Sequence, residues 1–196
     1  MAFTGYNFRD AKDIKDMAVS FGEGEEFEFA RSLALRLKAY VLFGYVESIE
    51  QHGKTLLYNS AAMSDREGNF IFNTRKTHLY YADELWAEEG DGFKSIVIKN
   101  LIGQSFNCAV GICMDINPKN FTSGKNELGD FVEANKCEVI LFPTNWIDSD
   151  RENEDSSVDI YNYWLNRLMP ILKGKRNVYL LAADRVGREY SFYDKK

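Results

Sequence analysis

Residues Ala109–Pro118 read AVGICMDINP, an apolar run that changes to polar residues after Cys113. The apolar part predicts a buried strand, and the polar part predicts a loop that follows it. Ligands of α/β proteins bind beyond the ends of such strands, and the small Gly111 would let a substrate or another chain segment come close. Cys113 is therefore a candidate nucleophile. A buried structural thiol is the other interpretation, because free cysteines are often buried.

Strand and helix patterns alternate on both sides of this stretch. Strands are predicted at Tyr40–Val46, Thr55–Ala61, Asn69–Thr77, Ser95–Ile102, Asn107–Met114, Val139–Phe142 and Val178–Ala183, and helices at Glu26–Lys38, Gly129–Asn135 and Val158–Leu172. Pro170 should end or kink the last helix. Hairpin-like strand pairs combined with amphipathic helices predict a layered α/β fold with a mixed sheet.

The composition is that of a globular protein. The chain has 196 residues, of which 45% are hydrophobic, and a formal net charge of −6. This acidic balance argues against nucleic-acid binding, and the sequence shows neither a membrane-length apolar stretch nor a signal-peptide pattern. Its three cysteines form no CxxC pair, which disfavours a disulfide framework and a thiolate metal site. We expect a single cytoplasmic domain over residues 1–196, with no metal and no cofactor.

A second group of candidate residues lies in the segment RKTHLYYADELWAEEG, residues 75–90. Lys76 and Glu84 are framed there by aromatic residues. Such a pair could stabilise an oxyanion and move a proton, or it could lie on a solvated loop. His78 lies beside it and could activate Cys113, but nothing in the spacing selects that dyad.

Six short blocks, in this order along the chain, carry a resemblance to a known family. They are Phe3–Tyr6 (FTGY), Leu57–Ala61 (LYNSA), Arg75–Leu79 (RKTHL), Gly111–Asp115 (GICMD), Pro143–Trp146 (PTNW) and Arg185–Glu189 (RVGRE). Any one block is a common pattern, but the ordered set is specific, and the chain resembles the nitrilase (carbon–nitrogen hydrolase) superfamily from end to end. Within it, the sequence GICMDINP and the segment YNYWLNR at Tyr161–Arg167 are most similar to the protein N-terminal amidases.

The resemblance implies both a fold and a reaction. The family's fold is a four-layer α-β-β-α sandwich, here incomplete at its first and last strands. Enzymes of this branch hydrolyse the side-chain amide of an N-terminal Asn or Gln of a protein, releasing ammonia from a cysteine thioester intermediate, and so feed the N-degron pathway. Carried over, Cys113 is the nucleophile, Lys76 the oxyanion-stabilising cation and Glu84 the supporting carboxylate. The family uses no histidine as base, which argues against the dyad with His78.

The resemblance also implies a substrate pocket. The backbone N–H of Met114 would contribute to the oxyanion hole. Asp115 and Trp146 lie in matching blocks and could line the pocket that holds the free α-amino group, with scaffold roles as the alternative. The expected partners are protein or peptide N-termini, with no nucleic acid and no membrane.

One departure from the family concerns the general base. The resemblance puts this glutamate in a Pro-Glu pair shortly before the Phe-Thr-Gly-Tyr block, whereas this sequence starts at Met1. We therefore expect the 196-residue chain to be nearly inactive as written. By pattern Glu47 is the nearest replacement, with a structural role as its alternative. A sandwich without its terminal strands would expose strand edges, so self-association is also expected.

Two other functions are consistent with the same residues. One is a small-molecule amidase or carbamoylase of another nitrilase branch, which would not require a free α-amino group. The other is a non-catalytic nitrilase-like scaffold, whose function would survive substitution of Cys113.

Overall fold

The computed structural model describes residues 1–122, 124–147, 156–174 and 176–187, apart from the side chains of residues 156 and 157. The chain forms two compact units. Unit 1 comprises residues 1–92 and the residues after 184, and unit 2 comprises residues 93–184. The single domain over residues 1–196 stays a prediction. The end of the RVGRE block, Arg188 and Glu189, lies outside the described residues.

Unit 1 contains a three-stranded antiparallel sheet in the order β1-β2-β3. Its strands are β1 (Val41–Gln51), β2 (Lys54–Ser64) and β3 (Phe70–Arg75). A two-residue turn, His52 and Gly53, joins β1 to β2, and both residues have positive φ, as the favoured hairpin turns require. The predicted hairpin between β2 and β3 is confirmed. β1 and β2 are longer than predicted because they pair with each other along their whole length, from Val41 opposite Ser64 to Gln51 opposite Lys54.

Two helices, α1 (Ala11–Ile14) and α2 (Glu25–Leu37), belong to unit 1. Phe27 of α2 is fully buried against the sheet, with its ring centroid 5.1 Å from that of Phe43, 4.9 Å from Tyr45 and 4.7 Å from Phe70. All three ring pairs are edge-to-face, an arrangement that adds to the stabilisation from buried area. This cluster holds α2 on the sheet and confirms the helix predicted from apolar spacing.

Unit 2 contains a mixed sheet in the order β4-β5-β6-β7. Its strands are β4 (Lys94–Lys99), β5 (Ser105–Val110), β6 (Val139–Thr144) and β7 (Tyr179–Asp184), and its helices are α3 (Glu127–Ala134) and α4 (Ser156–Leu172). β4 and β5 are antiparallel, whereas β6 runs parallel to both of its neighbours. The mixed sheet and the α/β class are confirmed. The core lies between sheet and helices, formed by Ala109, Ile140 and Phe142 with Leu128, Val132, Leu168 and Ile171.

The strand predicted over Asn107–Met114 is too long. β5 ends at Val110, and a 3₁₀ turn occupies Cys113–Ile116. A carboxylate oxygen of Asp115 accepts a hydrogen bond from the Ile112 N–H at 2.8 Å, and the Asp115 N–H donates to the Ile112 carbonyl at 3.1 Å. These local bonds replace the strand ladder, so Cys113 lies in a turn rather than at the end of a strand.

Two predictions at the end of unit 2 can be compared with the structure. α4 does not end at Pro170 but continues to Leu172, and the kink that was the other expected effect of this proline stays a prediction. The apolar strand at the end of the pattern is present as β7, but its apolar side chains are largely exposed, with Tyr179 at 63% and Leu181 at 61%. No helix among the described residues is both long and apolar enough to cross a lipid bilayer.

Candidate active site

Lys76 of unit 1 is fully buried directly after β3. Its backbone N–H donates to the Asn59 carbonyl at 2.8 Å, and its carbonyl accepts from the Gly90 N–H at 2.8 Å. The side-chain Nζ donates to Asp83 Oδ2 at 2.5 Å and to the Tyr6 hydroxyl at 2.9 Å. Backbone and side chain are therefore both held, which gives the ammonium group one defined position.

Asp83 supplies the negative charge beside this ammonium group, and it is also fully buried. Its Oδ2 accepts hydrogen bonds from the Tyr6 hydroxyl at 2.8 Å and the Tyr80 N–H at 2.9 Å, while Oδ1 accepts from Asn59 Nδ2 at 3.0 Å. A buried ion pair is tolerated when its remaining hydrogen-bonding capacity is satisfied in this way. Neither Asp83 nor Tyr6 was predicted from the sequence as a site residue, although Tyr6 ends the FTGY block.

Glu84, the predicted supporting carboxylate, is exposed. Its N–H donates to the Tyr80 carbonyl at 3.1 Å within a short turn. Neighbouring residues of a turn point in different directions, so Asp83 contacts Lys76 while Glu84 faces solvent. Glu84 was predicted from its spacing of eight residues after Lys76, and this spacing did not distinguish it from the neighbouring Asp83.

Glu47 is buried in β1 and takes part in a polar network of unit 1. It accepts two hydrogen bonds from Arg75, both at 2.8 Å, one from Ser60 at 2.7 Å and one from Asn73 at 3.1 Å. Burial acts to raise the pKa of Glu47, but the hydrogen bonds from Arg75, Ser60 and Asn73 outweigh it and hold the pKa below its usual value. This carboxylate therefore has the structural role that was the alternative to a general base.

Cys113 begins the 3₁₀ turn of unit 2 with φ +48° and is 9% exposed. A non-glycine residue in the left-handed region is uncommon, and such strain is concentrated at functional sites. Gly111 allows the close packing before the turn, because a Cβ there would lie 3.0 Å from Leu128 Cδ2. The first amides of a helical turn have no partner within the turn, and Met114 follows Cys113 in this one.

Asp115 and Trp146 lie in the same unit as Cys113. Asp115 is 2% exposed and accepts the Ile112 N–H described above, which supports the turn. Trp146 follows β6, and its ring centroid is 5.5 Å from that of Tyr163 and 5.4 Å from that of Trp164. Its backbone N–H donates to Asp184 Oδ1 at 2.8 Å. Both residues thus have scaffold contacts, the alternative left open for them.

The other two cysteines are Cys108 and Cys137, and the two histidines are His52 and His78. Burial raises the pKa of the Cys108 thiol to about 11 and also raises the pKa of Cys137, so both stay protonated near neutral pH. His78 is buried at 5% exposure, and His52 lies in the exposed hairpin turn. The described residues include no group of three or more His, Cys, Asp or Glu side chains that could hold a metal ion.

The structure thus brings the predicted residues together in two sets. Unit 2 contains Cys113, Met114 and Asp115 in one turn, together with Trp146. Unit 1 contains Lys76 with its partners Asp83 and Tyr6, and Glu84 lies exposed beside them.

Comparison with known proteins shows which family profile and which proteins this chain is similar to. The family profile described as carbon-nitrogen hydrolase matches residues 1–195. The chain is 34% identical over 190 residues to the protein N-terminal amidase of Saccharomyces cerevisiae, an alignment that covers 89% of this chain and 40% of that protein. It is 30% identical over 207 residues to the protein N-terminal amidase of Schizosaccharomyces pombe, covering 96% of this chain and 71% of that protein.

Solved structures agree with the sequence relatives. A crystal structure of N-terminal amidase with an Asn-Glu peptide superposes with a TM-score of 0.68 at 29% identity, covering 86% of this chain and 43% of the other. One with a Gln-Gly peptide superposes equally well, with a TM-score of 0.68 at 30% identity, 85% of this chain and 42% of the other. The chain spans less than half the length of these two structures and of the Saccharomyces relative.

Proposed function

Because this chain belongs to the carbon-nitrogen hydrolase family, we propose that it is an amidohydrolase converting an N-terminal Asn or Gln of a protein to Asp or Glu. The support is its similarity to N-terminal amidases, including two solved with peptides that begin with Asn and with Gln. The acidic N-termini that result would enter the N-degron pathway.

Cys113 is the nucleophile of the proposed reaction. Its thiol gives up a proton, Sγ bonds to the carbon of the side-chain amide, and the carbonyl electrons move to oxygen, forming a tetrahedral oxyanion. The carbonyl re-forms as the C–N bond breaks, the nitrogen takes up the proton that the thiol gave up and leaves as ammonia, and a thioester remains. Water adds to the thioester carbon, the C–S bond breaks, and the free thiol and a carboxylic acid result. The observation that carries this role is the positive φ of Cys113 at the start of its turn.

Lys76 and the Met114 N–H stabilise the oxyanion in this proposal. A cation that is fully buried interacts with a developing charge more strongly than one in water. The contacts of Lys76 with Asp83 and Tyr6 support the role, because a preorganised donor needs no rearrangement during the reaction. Glu84 keeps its proposed supporting role through its spacing of eight residues after Lys76, which the family resemblance implies, while Asp83 is the carboxylate that contacts Lys76.

Asp115 and Trp146 are proposed to contact the substrate near its α-amino group. Trp146 is only partly buried, so part of this residue is accessible to a ligand. Asp115 carries a carboxyl group two residues after the nucleophile, although one of its oxygens already accepts the Ile112 N–H. A free α-ammonium group needs such a charged or strongly polar partner.

Ammonia release by the protein purified as its cells produce it tests the proposal. The substrates are a peptide that begins with Asn, the same peptide beginning with Gln, and the N-acetylated form of each. We expect turnover of the free peptides and less than about 1% of that rate for the acetylated ones. Cys113→Ala should abolish turnover, and acid quenching of the wild type should trap an acyl group on the peptide that contains Cys113.

The other outcomes identify the alternatives. Equal turnover of acetylated and free peptides would indicate an amidase for small or blocked amides. Absence of turnover together with a cellular function that survives Cys113→Ala would indicate a scaffold. If Cys113 and Lys76 act in the same step, a variant that lacks both should lose far less activity than the product of the two single losses. Losses from residues that act as a unit are strongly non-additive.

Cytoplasmic location and self-association are further parts of the proposal. All three cysteines are free thiols, which is typical of reducing compartments. Exposed apolar side chains on β7 favour association with a second copy of the chain.

A further inference from the structure

Helix α4 reaches the turn that carries Cys113 through a series of hydrogen bonds, all within unit 2. Asn117 ends this turn, and its backbone N–H donates to the Met114 carbonyl at 2.9 Å. The Asn117 side-chain Nδ2 contacts Met114 Sδ at 3.3 Å, and its Oδ1 accepts from the hydroxyl of Tyr163 on α4. One helical turn later, Arg167 Nη2 donates to the same hydroxyl at 3.2 Å, and its guanidinium lies 4.9 Å from the Tyr163 ring centroid.

The chemistry of these groups gives each bond one direction. Arg167 can only donate, so the Tyr163 oxygen accepts from it and its single proton is left for Asn117. The Asn117 amide is then oriented with its oxygen toward Tyr163 and its nitrogen toward Met114. Asn117 is 3% exposed, so water does not readily replace these contacts. A charged donor at the start of such a series also strengthens the bonds that follow.

We propose that Tyr163 is a positioning residue for the Cys113–Ile116 turn, acting through Asn117 with Arg167 behind it. Fixing the end of the turn holds the backbone of Met114, whose N–H is the proposed oxyanion donor and whose carbonyl accepts from the Asn117 N–H. The catalytic part of this inference rests on the proposed function. The structural part, which is support of the turn by the hydroxyl, does not depend on it.

A packing role is the competing explanation, because the Tyr163 ring also lies against Trp146 at 5.5 Å between centroids. Tyr163→Phe separates the two, since it keeps the ring and removes only the hydroxyl. Tyr161→Phe is the matched control. Tyr161 is on the same helix, two residues earlier and 64% exposed, and the same hydroxyl is removed there.

Two measurements test the proposal on the full protein. The first is amide hydrogen exchange of the peptide containing residues 113–118, which needs no substrate. We expect exchange in Tyr163→Phe to be at least tenfold faster there than in the wild type and Tyr161→Phe. The second is steady-state kinetics on an Asn peptide, where kcat should fall about 10- to 100-fold with KM within twofold, because small displacements of catalytic groups are costly. Arg167→Met should change both quantities in the same direction by a smaller factor.

The outcomes distinguish this inference from the proposed function. If the wild type releases no ammonia but exchange still rises in Tyr163→Phe, the proposed function fails and support of the turn stands. If the wild type is active and Tyr163→Phe keeps both its exchange rate and its kcat, the positioning role is wrong. A fall in kcat without faster local exchange, or a rise in KM alone, would also overturn it.

Discussion

At the level of single residues, Lys76 and Asp83 form a buried ion pair in unit 1. Both side chains are fully buried, and Tyr6, Tyr80 and Asn59 complete the hydrogen bonding of the carboxylate. Removing one partner of such a pair leaves a buried charge without compensation, which is much more costly than losing an exposed pair.

We expect Asp83→Asn to lower the free energy of unfolding by about 3–5 kcal/mol, because Lys76 would stay buried without its counter-charge. Glu84→Gln is the matched control. It removes the neighbouring carboxylate, which is exposed, and should change stability by no more than about 0.5 kcal/mol. Urea unfolding followed by circular dichroism measures both. Equal effects of the two variants on the free energy of unfolding would show that the buried ion pair stabilises the protein no more than the exposed carboxylate does.

Glu47 should make the stability of the protein depend on pH in the acid range. Its pKa is lowered in the folded state, mainly by Arg75 and Ser60 acting against burial, so its ionised form is the stabilising one. That contribution is fully present above the unfolded-state pKa of about 4.3 and is lost as the pH falls through the lower folded-state value. The difference in unfolding free energy between wild type and Glu47→Gln should therefore shrink between about pH 5 and pH 3.

Urea unfolding at a series of pH values measures this difference. Glu50→Gln, which removes an exposed carboxyl from the same strand, is the charge control. A wild-type minus Glu47→Gln difference that stays constant down to pH 3 would contradict the assigned network.

At the level of elements, α2 is held on its sheet by a buried apolar face in which Phe27 is the largest side chain. Phe27 is fully buried among aromatic rings of β1 and β3, whereas Phe29, two residues later, is 55% exposed. Alternating exposure at this spacing is what a helix with one buried face produces. Most stability of such a helix comes from packing rather than from its intrinsic propensity.

Phe27→Ala should therefore destabilise the protein by about 3–5 kcal/mol, the usual cost of removing a large ring from a packed core. Phe29→Ala, an identical change on the exposed face of α2, should cost about 1 kcal/mol or less. Thermal unfolding of the two variants beside the wild type tests the difference. Similar melting temperatures for both variants would mean that the Phe27 cluster is loosely packed.

At the level of the whole molecule, the exposed apolar strand β7 is the feature with the clearest consequence. β7 is at the edge of the unit 2 sheet in the described part of the chain, with Tyr179 and Leu181 more than 60% exposed. Strand edges with apolar side chains are templates for pairing with another chain.

Leu181→Lys should weaken self-association, because a charged side chain on an edge strand opposes pairing. We expect the wild type to form concentration-dependent oligomers in sedimentation velocity and the variant to remain closer to monomer. Leu101→Lys, at the 83% exposed tip between β4 and β5, replaces a leucine that is more exposed than Leu181 and lies away from β7, and it should behave as wild type. A wild type that is monomeric at all concentrations would rule out association through this edge.

Several features were predictable because they depend on neighbours in the chain. Apolar spacing was enough for α2, turn-rich residues between two strand patterns were enough for the β2–β3 hairpin, and Gly103 between two further strand patterns was enough for the β4–β5 pair. The order of the short blocks was enough to predict the carbon–nitrogen hydrolase family. Cys113 was singled out by its place after an apolar run, although the run is a shorter strand than predicted.

Other features depended on contacts between distant segments, which only the tertiary structure decides. The sequence by itself determined the family, the mixed α/β class and the candidate residues. The tertiary structure decided that Lys76 pairs with Asp83 and not Glu84, that Glu47 is held by Arg75, and that Tyr163 reaches Asn117 across 46 positions of the chain. The physical reason is that the partner of a buried charge or hydroxyl is the group that packing brings within hydrogen-bond distance. Spacing along the chain does not specify that group.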